Sequence, residues 1–103
     1  MTTLLELRTA AVNLNQACGV LDKGYDRGKA VLLGNPVRRC MPIVGESFKE
    51  GTPAQQVARG ALHRACDRLD KAIHQALLYP QRTELGEEVV RSVQDLRSLF
   101  AGF

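Results

Sequence analysis

The feature that most constrains the fold of this chain of 103 residues is a long run of apolar residues at helical spacing, which begins with a clear helix start signal. Thr52, Pro53 and Gln55 follow the pattern of a capping box, in which Thr caps the helix and Gln reaches back to it. Pro80 marks the other end, because proline cannot continue a helix. At 1.5 Å per residue, the predicted helix over 53–79 is about 40 Å long. Its apolar face combines Ala58, Leu62, Ala65, Cys66, Leu69, Ile73, Ala76 and Leu77.

An earlier helix is predicted from a second capping box, with Thr3 as the cap and Glu6 three residues later. Its apolar residues repeat at spacings of three and four, which places them on one face. They are Leu4, Leu7, Ala11, Leu14, Cys18 and Leu21, and the same spacing continues through Tyr25, Gly28 and Leu32. The helix therefore either runs on to Leu33 or breaks near Gly24, because a glycine costs about 1 kcal/mol relative to Ala inside a helix.

A third helix is predicted over 84–101, with Thr83 as its cap. Acidic residues in its first turns suit the positive end of the helix dipole. The short connection from Tyr79 to Thr83 indicates that this helix runs antiparallel to the one before it. Its apolar face holds Val89, Val93, Leu96, Phe100 and Phe103. Phe100 and Phe103 are weak candidates for an anchor that a protein partner would bind.

The segment 34–52 contains three glycines and two prolines. Pro42 interrupts its only strand-like run, so the sequence predicts an irregular loop there, which is long enough to be functional. We therefore expect residues 1–103 to form a single all-α domain, an elongated bundle of three amphipathic helices with one long irregular loop.

The amino-acid composition says more about the class of protein than about the partner that it binds. Hydrophobic residues make up 45% of the chain and aromatic residues only 5%, which predicts an aliphatic, alanine-rich core. The formal net charge of +3 permits an anionic partner without requiring one. Three cysteines, an odd number, and the lack of a signal-peptide pattern favour a reducing compartment, so we expect a cytoplasmic protein. No apolar run reaches the roughly 18 residues of a membrane span.

The predicted helix over 53–79 carries a stripe of four possible metal ligands, at sequence spacings of four, three and four residues. Four ligands spread over three turns cannot converge on one ion, so at most one adjacent pair would bind with help from another helix. The alternative is two His–Asp pairs on a solvated face. The stripe consists of His63, Asp67, Asp70 and His74.

A zinc site of three cysteines and one histidine is a second possibility, combining His63 and Cys66 with Cys18 and Cys40. Cys18 and Cys66 both fall on predicted core faces, where a free cysteine behaves as a small hydrophobic residue. Packing accounts for them without a metal, and we expect no cofactor. We find no catalytic constellation, so the sequence favours a protein that is not an enzyme.

Basic residues form the other candidate site. If they met in space, they would bind phosphate or an acidic partner, and salt would weaken that binding steeply. The alternative is an ordinary solvated helix face with an ion pair between Asp67 and Lys71, favoured because no stacking aromatic residues lie nearby. The candidates are Arg38, Arg39, Arg64, Arg68 and Lys71.

Two functions follow as hypotheses. The first is a small interaction or assembly protein, such as an accessory protein of a bacterium or phage, that self-associates or docks on a protein partner through an apolar helical seam. In this hypothesis a helix from a second copy fills the groove that three helices leave open. The second is a binder of nucleic acid or nucleotides that uses the basic residues.

Overall fold

The structure is a computed structural model that describes residues 4–21, 23–47 and 52–100. It contains four α-helices, which are α1 (Leu4–Cys18), α2 (Arg27–Ser47), α3 (Pro53–Leu78) and α4 (Thr83–Phe100), and a 3-10 turn, Gly19–Leu21, that follows α1. None of the described residues forms a strand. The predicted all-α class is confirmed, whereas the predicted number of three helices is wrong.

The additional helix is α2, which occupies most of the segment predicted to be an irregular loop. Residues 34–47 of that segment are helical, and both Pro36 and Pro42 lie inside the helix. Each proline removes one backbone hydrogen bond and leaves a carbonyl four residues earlier without its helical donor. Those carbonyls belong to Leu32 and Arg38, which are exposed, so water can satisfy them. This placement lets the helix continue through both prolines.

The sequence did contain a signal for α2. Apolar residues recur through it at spacings of three, four, three and four, and all of them are buried in the structure. They are Ala30, Leu33, Val37, Cys40 and Val44. The free energy of burying this face outweighs the local cost of the prolines, because each buried aliphatic side chain contributes about 1.5–3 kcal/mol.

The chain breaks between α1 and α2, so the predicted continuation to Leu33 is wrong and the alternative of a break near Gly24 is confirmed. Gly24 has a φ of 117°, which glycine adopts without steric cost. Its backbone N–H donates to the carbonyl of Leu21 at 3.1 Å, which closes the turn. Asp26 then caps α2, because its Oδ1 accepts a hydrogen bond from the backbone N–H of Lys29 at 3.0 Å.

The two later helices lie close to their predicted positions. α3 begins at Pro53, and the carbonyl of Thr52 accepts its first helical hydrogen bond from the N–H of Gln56 at 2.9 Å. α4 begins at Thr83, one residue before the predicted start. Several predicted features lie outside what the structure describes: Thr3, the side chains of Leu4, Leu7 and Gln55, Ala101 and Phe103.

Each helix packs against its neighbours in sequence, and α1 also touches α4 over fewer residues. The resulting bundle measures 44 × 22 × 19 Å. Leucine, valine, alanine and cysteine side chains from all four helices fill one continuous core, with no tryptophan in the chain. α2 packs against both α1 and α3, so the chain itself supplies the fourth helix of the bundle.

Candidate interaction surface

One end of the bundle is built by the two short connections, between α1 and α2 and between α3 and α4. Short connections make successive helices antiparallel, so both connections lie at the same end. The ring of Tyr25, from the first connection, packs directly on Gly86 in the second turn of α4. A Cβ added at Gly86 would lie 2.7 Å from Cδ1 of Tyr25, so only glycine allows this approach.

This end carries most of the large hydrophobic side chains that the described residues expose. Six of the eight lie in the connection between α1 and α2, in the first turns of α2, or at the last residue of α3 and the residue that follows it. The most exposed are Leu32 at 71% and Leu78 at 56%. We call this surface the apolar end, and its members are Val20, Tyr25, Val31, Leu32, Leu78 and Tyr79. We take this concentration of exposed apolar residues as the candidate interaction surface.

Charged residues of both signs surround the apolar end. Lys23, Arg27, Lys29 and Arg82 are exposed there, and so are Asp26, Glu84 and Glu87. Arg82 Nε donates to Glu84 Oε1 at 2.7 Å. The backbone N–H of Glu84 and the Arg82 guanidinium together lower the pKa of the Glu84 carboxyl. A mixed rim of this kind suits a protein surface that also carries both signs, rather than a polyanion.

The predicted basic residues lie on two separate grooves. Arg39 lines a groove between α1 and α2. Arg64, Arg68 and Lys71 line a groove between α3 and α4, which shares no helix with the first. Arg38 bonds to residues of its own helix. The structure therefore does not bring the five residues together on one surface.

Arg68 connects α3 to α4 through two carboxylates. Its Nη2 lies 2.7 Å from Glu88 Oε1 and its Nη1 lies 2.6 Å from Asp95 Oδ2. The hydrogen bond from Arg68 lowers the pKa of the Glu88 carboxyl, and the positive charges of Arg68 and Arg91 lower it further. Because two carboxylates already neutralise this guanidinium, a phosphate would have to displace them in order to bind.

The stripe of possible metal ligands runs along α3. His63, Asp67 and Asp70 are half-buried and His74 is exposed. Asp67 Oδ2 lies 2.9 Å from Lys71 Nζ, which is the ion pair expected for a solvated face. In the described ranges, no three His, Cys, Asp or Glu side chains are arranged to hold a metal ion.

The three cysteines, Cys18, Cys40 and Cys66, are buried free thiols in the core. A hydrogen bond joins the side chains of Cys40 and Cys66. This bond lowers the pKa of the Cys40 thiol, whereas the bond and burial together raise the pKa of the Cys66 thiol. This hydrogen bond links α2 to α3 within the core.

Phe100 is half-buried and packs against the core, so its ring is only partly available to a partner. It also lines a groove of about 380 Å³ between α1 and α4, beside Val12 and Asn15. Phe103, the other predicted anchor, lies outside the described residues.

Sequence analysis did not identify the apolar end. Tyr25 and Leu32 continue the apolar spacing of α1 and would share its apolar face if the helix ran on to Leu33, but the helix breaks near Gly24 and both are exposed. The signal that would have identified them is the competing stripe of α2, which excludes Leu32 from the core face.

In the part of the chain that the structure describes, every helix is too short or too polar to cross a membrane. No protein-family model matches the sequence, and no curated protein and no solved structure shows significant similarity to it.

Proposed function

We propose that this protein is a small, non-enzymatic assembly module that associates with a second copy of itself through the apolar end. The observation that carries the proposal is that, among the residues whose exposure the structure describes, six of the eight exposed large hydrophobic side chains lie at one end of the bundle. Burying them in an interface removes apolar surface from water, which contributes roughly 25 cal/mol per Å² before the cost of association.

A second copy is the partner that the charges favour. In a two-fold arrangement each patch meets its own copy, so every residue pair occurs twice. The rim of the apolar end contains both acidic and basic side chains, and such a rim can be complementary to itself. The helical seam is a poorer interface for self-association, because α2 already covers it within the chain.

The test compares apolar residues at opposite ends of the bundle. We expect the wild-type protein to sediment as a dimer at micromolar concentration, and the double variant Leu32→Ser/Leu78→Ser as a monomer. Val57 is the matched control, because it is 69% exposed in the first turns of α3, at the other end of the bundle. Val57→Ser should remain a dimer.

Each variant requires a circular dichroism spectrum that matches the wild type, so that loss of association is not loss of folding. A wild-type protein that stays monomeric up to 100-fold higher concentration would contradict self-association. Equal weakening by Val57→Ser would show that the apolar end is not the interface.

Binding of phosphate or nucleic acid remains the alternative prediction. It is less favoured, because the basic residues are divided between two grooves and Arg68 is bonded to Glu88 and Asp95. Its expected result is salt-sensitive binding of a polyanion that Arg64→Gln/Arg68→Gln abolishes.

A further inference from the structure

Two of the three cysteines form a contact that the assembly function does not require. Cys40 on α2 and Cys66 on α3 are 2% and 0% exposed, and their side chains are hydrogen-bonded to each other. A thiol–thiol hydrogen bond places the two sulfur atoms in direct contact, on neighbouring helices that pack closely. Cys18 is equally buried in the same core, and its electrostatic influence contributes to raising the pKa of the Cys66 thiol.

A groove on the surface reaches one residue of this pair. It lies between α1 and α2, has a volume of about 510 Å³, and includes Cys40 among its lining residues. That volume falls in the range of sites that bind small molecules, about 300–1,000 Å³. Most of the lining near Cys40 is apolar, as at Ala10, Leu14 and Ile43. Cys18 and Cys66 do not line this groove.

The electrostatic environment distinguishes the same two thiols. The hydrogen bond from Cys66 lowers the pKa of the Cys40 thiol, although burial opposes this effect. Arg39, the residue before Cys40, lines the same groove, and so does Glu6 of α1, so the groove carries one charge of each sign. Since Cys40 lines the groove and Cys66 does not, Cys40 is the member of the pair that a small molecule in the groove meets first.

We propose that Cys40 and Cys66 are an oxidisable thiol pair, in which Cys40 reacts with a small hydroperoxide that enters the α1–α2 groove and Cys66 resolves the product. The Cys40 sulfur attacks the terminal peroxide oxygen, so an S–O bond forms and the O–O bond breaks. The alkoxide or hydroxide that leaves takes up the proton lost by Cys40. Cys40 is then a sulfenic acid.

The second step closes a disulfide. The Cys66 sulfur attacks the Cys40 sulfur, the S–S bond forms, and the S–O bond breaks. Hydroxide leaves with the proton from Cys66 as water. Overall, two thiols and one hydroperoxide give one disulfide, one alcohol (water, if the oxidant is hydrogen peroxide) and one water. The product connects α2 to α3 covalently.

The test uses the full chain, folded and reduced, treated with hydrogen peroxide and then with an alkylating reagent. Trypsin cleaves after Lys and Arg, so the cysteines fall on separate peptides: 9–23 for Cys18, 40–49 for Cys40 and 65–68 for Cys66. We expect one disulfide, between peptides 40–49 and 65–68, with Cys18 recovered in its alkylated form. A disulfide that contains Cys18 would overturn the proposal, and so would three unoxidised thiols.

Two variants assign the order of the steps. Cys18→Ala should form the same disulfide at an unchanged rate. Cys66→Ala should stop at the sulfenic acid, which dimedone traps on peptide 40–49. Trapping on peptide 9–23 instead would contradict the role of Cys40. If Cys66→Ala does not fold, peptide mapping of the wild-type protein at early times gives the same assignment.

Discussion

At the scale of single residues, the contact between Tyr25 and Gly86 illustrates what an amino-acid sequence does not reveal. Gly86 falls inside a predicted helix, where glycine is unfavourable, and nothing near it in the sequence explains its presence. The structure supplies the reason, because the tyrosine ring occupies the space that a Cβ would need. A contact between residues so distant in the chain leaves no local pattern.

Replacing Gly86 with alanine should therefore destabilise the protein. Overpacking costs about 1–3 kcal/mol, and the better helix propensity of alanine returns up to about 1 kcal/mol, so we expect a net loss of about 1 kcal/mol in the free energy of unfolding. Urea unfolding measures it, and tyrosine fluorescence should report the displacement of Tyr25.

The control is Gly28→Ala in the exposed first turn of α2. Its added Cβ would meet Asp26 Oδ1 at an ordinary distance of 3.4 Å, so this change should be neutral or stabilising. A Gly86→Ala variant that is as stable as Gly28→Ala would show that the Tyr25 contact is not tight.

The ion pair between Arg68 and Glu88 should make stability depend on pH in one direction. The pKa of Glu88 is lower in the folded protein than its ordinary value of 4.5. The ionised carboxylate therefore stabilises the fold above that value, and its contribution is lost as the pH falls through the lowered pKa. We expect the melting temperatures of wild type and Glu88→Gln to differ at pH 7 and to converge in acid.

The effect should be small and should shrink with added salt, because both side chains are substantially exposed. Arg68→Gln is the matched background, in which Glu88→Gln should lose most of its pH dependence. A difference in melting temperature that stays constant from pH 7 to pH 3 would argue against the ion pair.

At the scale of secondary structure, predictability depended on whether local signals agreed with one another. In α3, the cap at Thr52, the proline at position 53 and the apolar spacing all indicate a helix, and the structure contains it. In α2, two prolines argue against a helix while the stripe from Ala30 to Val44 argues for one. Packing against α1 and α3 decides between them, and that packing is a tertiary effect.

Pro42 gives a direct test of whether the segment 34–47 is helical. It is exposed in α2, so Pro42→Ala restores a backbone donor for the Arg38 carbonyl without loss of buried surface. Alanine is about 3 kcal/mol more favourable than proline inside a helix, and the more flexible unfolded chain offsets about 1 kcal/mol of this gain. We expect a net stabilisation of about 2 kcal/mol in urea unfolding.

Pro36→Ala is the comparison, because Pro36 is half-buried and lines the α1–α2 groove. Its gain should be smaller, since the substitution also removes packing. If the segment were an irregular loop, Pro42→Ala would instead destabilise the protein slightly.

At the scale of the whole molecule, the sequence was sufficient for the fold class and for the antiparallel arrangement of its last two helices. It was not sufficient for the candidate surface. Exposure of Leu32 depends on where α1 stops and on which face α2 buries, and Leu78 lies at the same end only because α3 packs antiparallel to α2. Surfaces assembled from several elements depend on their relative placement, which apolar spacing within one element does not specify.

The position of the apolar end limits the number of copies in the assembly that we propose. The bundle is 44 Å long, and the apolar end lies at one extremity of it. In the self-association that we propose, two copies meet there head to head, and each covers the apolar end of the other. Such an assembly would end at a pair, a rod roughly twice the length of the single bundle, rather than continue into an open-ended fibre.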